Sequence, residues 1–318
     1  MQWKKIGKVF DPIDFNLANN CKEFAQSPQV LLFDNLIRVY FSTREKDTKG
    51  KYLSHISFVD FDKKFKIINV AKNSVIKLGE LGCYDEHGIF PLNILRTDSK
   101  LIAYIGGWNR RVSVSVDGSI GVAISHDNGL TFQRIGDGPV VASSVNEPFL
   151  IGDPFVKLYD DIFHMWYIFG TEWKKFSNDA QPDRIYKIGH ATSSDGINWL
   201  KISEGEKIIS DVLGADESQA LPTVIKINNL YHMYFCYRQS MGFRTDRTRG
   251  YRIGHAVSTD LTKWTRDDAT VGIDVSENDW DSDMLCYPHT FEMDGEFYLM
   301  YNGNEFGRNG FGVAKLVR

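Results

Sequence analysis

No apolar run in the chain approaches the ~18–20 residues that a membrane-crossing helix needs, so neither a helical span nor a membrane partner is expected. The opening residues Met1-Gln2-Trp3-Lys4-Lys5-Ile6-Gly7 lack the apolar stretch of a signal peptide, and a cytoplasmic location is the expectation. Cysteine is scarce. Cys21, Cys83, Cys236 and Cys286 show no CxxC or CxxH spacing, which argues against a zinc site or a disulfide framework and reads as reduced core thiols. Basic charge is not in excess: 37 Lys+Arg stand against 41 Asp+Glu, a net charge of −4. Without a long basic stripe, nucleic acid is not an expected partner. Long helical periodicity is missing too, which sets aside helical and leucine-rich solenoids. At 42% hydrophobic and 25% charged residues, the 318-residue chain is neither disordered, collagen-like nor a coiled coil.

What the chain does have is aromatic side chains, 13% of the total, and these favour strands and sugar-binding surfaces. It also repeats itself. A strand, a tight turn and an aromatic strand recur five times, with Tyr40, Tyr104, Trp166, Tyr234 and Tyr301 aligned at spacings of 64, 62, 68 and 67 residues. The inner strands of these units carry Pro28, Phe90-Pro91, Asp153-Pro154, Leu221-Pro222 and Tyr287-Pro288. A second signature follows three of the hairpins, a short strand, a turn and an aromatic. It reads Ser125, Asp127-Asn128-Gly129 and Phe132, then Ser193, Asp195-Gly196 and Trp199, then Ser258, Asp260 and Trp264. Asp-Gly suits a two-residue hairpin turn because its backbone tolerates positive φ. Units of this length with about four short strands are propeller blades. The expected fold is therefore all-β, a single five-bladed β-propeller with blades near 24–80, 85–140, 147–208, 216–272 and 281–318 plus 1–12. The last unit is one strand short, and Trp3–Val9 is expected to close the ring from the N-terminus.

In a blade, the start of the innermost strand and the loop after the second strand converge on one face. The first group contains Asp85-Glu86-His87, Glu147, Asp153, Glu217 and Asp283; the second contains Arg44, Trp108, Trp173, Arg238 and Asn304. Carboxylates precede the inner strand in four of the five units. Like charges held together in a poorly solvated funnel raise one another's pKa and so separate an acid from a base. Glycosidic cleavage needs that pair. Trp108, Trp173 and Tyr287 suit a sugar, whose C–H surfaces stack on aromatic faces.

With Asp153-Pro154 opening the third repeat and Glu217 before the fourth, the chain resembles the five-bladed propeller glycoside hydrolases. That superfamily includes the arabinanase/β-xylosidase and invertase/levansucrase families and the β-mannoside phosphorylases. Trp280-Asp281 and Tyr301-Asn302-Gly303-Asn304 resemble a branch associated with surface polysaccharide production. The resemblance implies an enzyme acting on a glycosidic bond by hydrolysis or transglycosylation, with Glu217 as general acid and Asp153 as the carboxylate that orients the sugar. The third family role, base or nucleophile, has no match, because Phe24-Ala25-Gln26-Ser27-Pro28 holds no carboxylate. Asp85 or Asp11 is the stand-in. Asp11, Arg44, Glu86, His87, Trp108, Glu147, Trp173, Arg238, Arg252, Asp283, Tyr287 and Asn304 are the expected substrate contacts.

The loop Arg238–Arg252 holds five of its fifteen residues as Arg, a composition that suits phosphate or carboxylate. An alternative follows: an enzyme acting on a sugar phosphate or nucleotide sugar, where phosphate itself attacks and no carboxylate base is needed. A non-catalytic carbohydrate-binding propeller is the third reading. The partner is a sugar or glycan, phosphorylated or nucleotide-linked under the second reading, and the chain is expected to be a monomer or small homo-oligomer. His87, His190, His255 and His289 lack metal-ligand spacing, so no metal or cofactor is expected. Analogy with related propellers leaves room for a structural Ca²⁺ on the axis. Ser125–Phe132 fits the turn-stabilising Asp-box of sialidases, a device remote from the active site.

Overall fold

The computed structural model describes residues 1–97, 100–177 and 181–317. Alternating apolar and polar positions, rich in β-branched and aromatic residues, produce strands almost throughout. Strand β1 (Gln2–Phe10) opens the chain. Short turns then join four antiparallel meanders. The first is β2 (Glu23–Leu32), β3 (Ile37–Lys46), β4 (Tyr52–Phe61) and β5 (Ile67–Val70). The second is β6 (Gly88–Arg96), β7 (Leu101–Arg110), β8 (Val116–Ser125) and β9 (Gln133–Arg134). The third is β10 (Ile151–Tyr159), β11 (Ile162–Lys174), β12 (Asp183–Ser193) and β13 (Leu200–Lys201). The fourth is β14 (Glu217–Ile227), β15 (Leu230–Gln239), β16 (Arg252–Ser258) and β17 (Thr265–Arg266). A fifth sheet runs β18 (Cys286–Met293), β19 (Glu296–Asn302), β20 (Phe311–Val317) and then β1, which pairs antiparallel with β20 from Gln2↔Val317 to Phe10↔Phe311. The first two meanders touch through one parallel pairing, Ser54↔Gly88. None of the sheets closes on itself. The innermost strands contact one another in cyclic order, β2, β6, β10, β14, β18 and back to β2.

Aromatic pairs join neighbouring sheets. The second-strand residues Tyr40, Tyr104, Trp166 and Tyr234 meet Phe132, Trp199, Trp264 and Trp3 edge-on, at 5.8, 5.7, 6.2 and 5.4 Å between ring centres. Each partner ring lies at or just before the outermost strand of the next sheet, and Trp3 takes that place in β1. The edge-to-face arrangement suits the ring quadrupole and adds about 0.5–1.5 kcal/mol per pair beyond area burial. Larger apolar clusters continue these seams, such as Phe155, Trp166, Val224, Met233 and Phe235 between the third and fourth sheets.

All five inner strands break register at an Xaa-Pro pair: Ser27-Pro28, Phe90-Pro91, Asp153-Pro154, Leu221-Pro222 and Tyr287-Pro288. Proline lacks the N–H that a regular ladder uses, so it is placed at a bulge. Ser27, Asp153, Leu221 and Tyr287 adopt φ of 55°, 51°, 47° and 56°, a region costly for residues with a Cβ. The bulge re-aims one side chain per strand. Phe90, Asp153 and Tyr287 are thereby brought to the wall of a single cavity.

Candidate active site

That cavity, about 350 Å³, lies at the end where the inner strands begin. This volume falls in the range of small-ligand pockets. Of the residues expected from sequence to contact substrate, Arg44, Trp108, Asp153 and Tyr287 line it. The other walls come from the starts of the third strands, which carry no site signal in the sequence, Asp117 at β8 and Arg184 and Tyr186 at β12, and from Tyr251 at the end of the arginine-rich loop. Arg244 joins them from the arginine-rich loop.

Asp153 is the one carboxyl that the bulges place here. Its side chain is buried, and Oδ2 accepts the backbone N–H of Leu221 at 3.2 Å. Burial disfavours the charged form and pushes its pKa up to about 7, a rise that the Leu221 hydrogen bond and the Arg184 charge oppose. Asp117, the second acidic residue of the wall, is ion-paired to Arg111 and accepts the Gly118 N–H at 2.9 Å.

Three guanidinium groups share the cavity with this carboxyl, and the Arg184 charge acts on it. Arg44 donates to Gln26 Oε1 at 2.8 Å and lies 4.9 Å from the Phe24 ring, and among the described residues neither it nor Arg184 has an ion-pair partner. Burial first, and the charges of Arg184 and Arg244 after it, hold Arg44 below its ordinary pKa. Arg244 reaches Asp183 only at 3.6 Å. Cations from three separate sheets thus converge with little internal compensation. Behind them, the Tyr186 and Tyr251 hydroxyls share a 2.5 Å hydrogen bond, and Arg238 Nη2 donates to the Tyr186 oxygen at 2.9 Å.

Several expected site residues lie elsewhere. Glu217, read from sequence as the general acid, is fully buried inside the fourth sheet and does not line the cavity. Its Oε1 accepts from Arg266 Nη1 at 2.6 Å and Gln219 Nε2 at 2.9 Å, and its Oε2 from the N–H groups of Val212 and Leu213 at 2.8 and 2.9 Å. Asp85, offered as the base, is likewise buried and paired with Arg134, whose Nε lies at 2.9 Å. Glu147 pairs with Lys201 at 2.5 Å and accepts from Tyr167 at 2.7 Å, and Asp281 pairs with Lys5 at 2.7 Å and accepts from Tyr301 at 3.0 Å. The pattern is one device used four times. A carboxylate just before the inner strand reaches a cation on the outermost strand of its own sheet, in β9, β13, β17 and β1. These carboxylates clamp each sheet across its width, so they are not gathered around the axis.

The remaining candidates brace loops. Arg238 is 2% exposed, packed 3.5 Å over the Phe243 ring, and positions the tyrosine pair without reaching the cavity. Arg252 donates to the carbonyls of Tyr251 and Asp283, both at 2.9 Å. Asn304 Oδ1 accepts the Asp283 N–H at 2.7 Å, and the Asp283 carboxylate meets Arg247 at 3.1 Å. Asp11 caps a short helical turn through the Ile13 N–H at 3.3 Å and pairs with Lys8. Glu86 accepts the Gly82 N–H at 3.0 Å, and His87 stacks on Trp108 at 6.2 Å from behind the wall. Trp173 lines a separate shallow groove beside the cavity. The aspartates of the Asp-box-like turns accept nearby N–H groups, as Asp195 does from Ile197 and Asn198 at 2.8 Å. His190 and His255, within third strands, accept or donate to His164 and His232 at 3.0 Å.

The axis does not fit the Ca²⁺ that analogy suggested. Calcium takes 6–8 oxygen ligands with carboxylates among them, whereas the cavity wall here presents Arg44, Arg184 and Arg244. Among the described residues, no group of three or more His, Cys, Asp or Glu side chains is disposed to hold a metal ion.

Against known proteins, no family model matches the chain. Two curated proteins of Mycobacterium tuberculosis, Uncharacterized protein Rv1502 and Uncharacterized protein MT1551, are each 32% identical over 320 residues, covering 99% of this chain and 99% of their own length. The chain belongs to their family. Among solved structures, one described as a glycoside hydrolase superposes with a TM-score of 0.75 at 16% identity, covering 99% of this chain and 92% of its own. One described under the GH130 family of mannoside phosphorylases, said to contain glycoside hydrolases that target β-1,2 mannosidic linkages in Candida mannan, gives 0.70 at 16% identity, covering 98% and 93%. A thermostable family-43 glycoside hydrolase gives 0.66 at 13%, covering 93% and 90%. At these identities the likeness is one of fold, and the family thus carries a glycoside hydrolase-type fold.

Proposed function

We propose that the chain is a five-bladed propeller, closed by β1, whose cavity exchanges a glycosidic bond for a glycosyl phosphate bond. One observation carries this reading: a single buried, protonatable carboxyl, Asp153, shares its cavity with three arginines from different sheets. Two-carboxylate hydrolysis is disfavoured by the same arrangement, since Glu217 and Asp85 are committed to Arg266 and Arg134.

The chemistry is then simple to state. Arg44, Arg184 and Arg244 hold inorganic phosphate by charge-assisted hydrogen bonds. A phosphate oxygen attacks the anomeric carbon, and the bond to the leaving oxygen breaks with its electron pair staying on that oxygen. The Asp153 carboxyl supplies the proton that the leaving alcohol takes. In reverse, the Asp153 carboxylate accepts the proton of the incoming hydroxyl while phosphate leaves. A pKa near working pH serves both directions. Trp108 and Tyr287 offer faces for the sugar ring.

A proton and phosphorus NMR time course tests this, using a panel of oligosaccharides with and without phosphate, and sugar phosphates with sugar acceptors. The expected result is a new glycosyl phosphate signal only when phosphate is present, absent with Asp153→Asn and at least tenfold slower with Arg184→Ala. Phosphate-independent release of reducing sugar would replace this reading by hydrolysis, and binding without turnover across the panel would replace it by a carbohydrate-binding role.

A further inference from the structure

The inner strands have a second end. Where the cavity above is lined by their first residues, a separate cavity of about 470 Å³ is lined by their last, with all five strands contributing. Phe155 and Thr223, buried, occupy strand positions between the two ends. This distal cavity is apolar over much of its wall, with Leu31, Ile94 and Ile225 among its residues, but its polar groups are markedly unbalanced. Lys157, Lys226 and Arg96 face it against one carboxylate, Glu292.

Two of its donors lack acceptors. Lys157 makes no hydrogen bond or ion pair among the described residues, and the contact that its ammonium does make is the Phe155 ring at 5.6 Å. His289 is 5% exposed, and its Nε2 accepts the Val30 N–H at 3.2 Å. An acceptor at Nε2 puts the proton of the neutral ring on Nδ1, and Nδ1 has no partner. Burial and the Lys157 charge keep this ring neutral, with a pKa lowered to about 3. A buried N–H donor without an acceptor is costly to leave so, and beside it stands a half-buried ammonium with no anionic partner. The rim cations are otherwise occupied: Arg96 reaches the Leu32 carbonyl at 3.4 Å, and Lys226 lies 5.1 Å from the Tyr231 ring.

We propose that the distal cavity is a second anion site, distinct from the catalytic cavity, which takes a small oxyanion of phosphate size on Lys157 Nζ and His289 Nδ1, with Lys226 and Arg96 at its mouth. The site stands at the far end of β10 from Asp153. Lys157 stands four positions beyond Asp153, about 13 Å at the rise of a strand, so one strand connects the two sites.

Isothermal titration of the full chain with inorganic phosphate, followed by phosphorus NMR, tests the assignment. Wild type is compared with Lys157→Met, Lys157→Arg, and Arg184→Ala in the catalytic cavity. Replacing a half-buried ammonium that lacks an anionic partner by a methyl thioether of similar shape is expected to leave the fold intact. In the Arg184→Ala background, where the catalytic cavity is weakened, a phosphate event should persist. Adding Lys157→Met should weaken that event at least tenfold, and Lys157→Arg should restore part of it. Phosphate binding in Arg184→Ala that is indifferent to Lys157→Met would overturn the distal site, as would no persisting event, which leaves an ordered water only. Arg184→Ala against wild type reports separately on the catalytic reading, so either can fail without the other.

Discussion

Asp153 sits where stability and reactivity oppose each other. Its left-handed backbone, its place before proline and its buried carboxyl are each unfavourable for folding, and the Leu221 N–H returns only part of that cost. The folded-state pKa, about 7, lies above the ordinary carboxylate value, so the fold is relatively favoured below the unfolded pKa and loses that advantage as pH rises through 7. Asp153→Asn should therefore abolish turnover yet raise stability at pH 8, by up to roughly 4 kcal/mol on the linkage arithmetic of about 1.4 kcal/mol per pKa unit. At pH 4 the two proteins should unfold at nearly the same urea concentration. Equal midpoints at pH 8 as well would show that the carboxyl is solvated and unfit as a neutral acid. Glu217 gives the opposite expectation. Glu217→Ala removes the buried partner of Arg266, 2% exposed in its side chain, and leaves it only the partly exposed Asp268. The loss should be about 3–5 kcal/mol, with phosphate affinity at the catalytic cavity unchanged. A urea titration paired with phosphate titration at a temperature where the variant is folded reads both.

The contrast between these two acids marks how far sequence reasoning reaches. Period-two patterning, the Xaa-Pro pairs and the Asp-Gly turns made the strand-rich repeat legible, because such local signals each have a local cause. The direction in which a carboxylate points is not local. Asp85, Glu147, Glu217 and Asp281 share one position in their repeats, which looks like convergence on an axis and is instead repetition of a clamp. A signal for it was present: Phe132, Trp199, Trp264 and Trp3 are each followed two residues later by a cation, Arg134, Lys201, Arg266 and Lys5. One cation per acid, at a fixed offset, speaks for pairing within the unit. Arg184 gave no such hint, since Asp183-Arg184-Ile185-Tyr186 reads as an ordinary strand start. The same recurrence makes β1 testable as a working member of the last sheet. Trp3, 4% exposed, meets Tyr234 just as Trp264 meets Trp166. Trp3→Ala should then cost about 3–5 kcal/mol, the usual range for a buried tryptophan, and Trp264→Ala, at a half-buried ring, less than that. If Trp3→Ala left the urea midpoint within the error of wild type, β1 would be an accessory strand, and the fifth sheet would stand on three.

Acid should expose how these units depend on one another. His190 and His255 occupy matching places in the third and fourth sheets, stacked on His164 and His232, and burial lowers the pKa of each to about 4. His289, on the inner strand β18, is lowered further, to about 3. Each ring is folded in neutral and would be protonated on unfolding below its ordinary pKa of about 6.5. The unfolded chain therefore binds more protons than the folded one between pH 6.5 and 4, and stability falls as pH drops through that window. Asp153 works the other way there, because the folded state holds its proton first. These three imidazoles against one carboxyl leave a net loss, approaching roughly 3 kcal/mol per pH unit at its steepest at about 1.4 kcal/mol for each net proton, and the buried His232, lowered by desolvation too, adds to it. Urea midpoints measured from pH 7.5 to 4.5 should decline accordingly. A His190→Gln, His255→Gln double variant should flatten that slope by about half or more, whatever it does to stability at pH 7.5. The seams between sheets predict a further detail. The Trp166 ring stacks on His190 while it meets Trp264 in the next sheet, so protonating one pair loosens its neighbour's packing. Near-ultraviolet and far-ultraviolet signals should then disappear together as the pH falls, as a single transition. Loss of the near-ultraviolet signal alone would mean that aromatic packing fails before the strands do, and that the transition is not two-state.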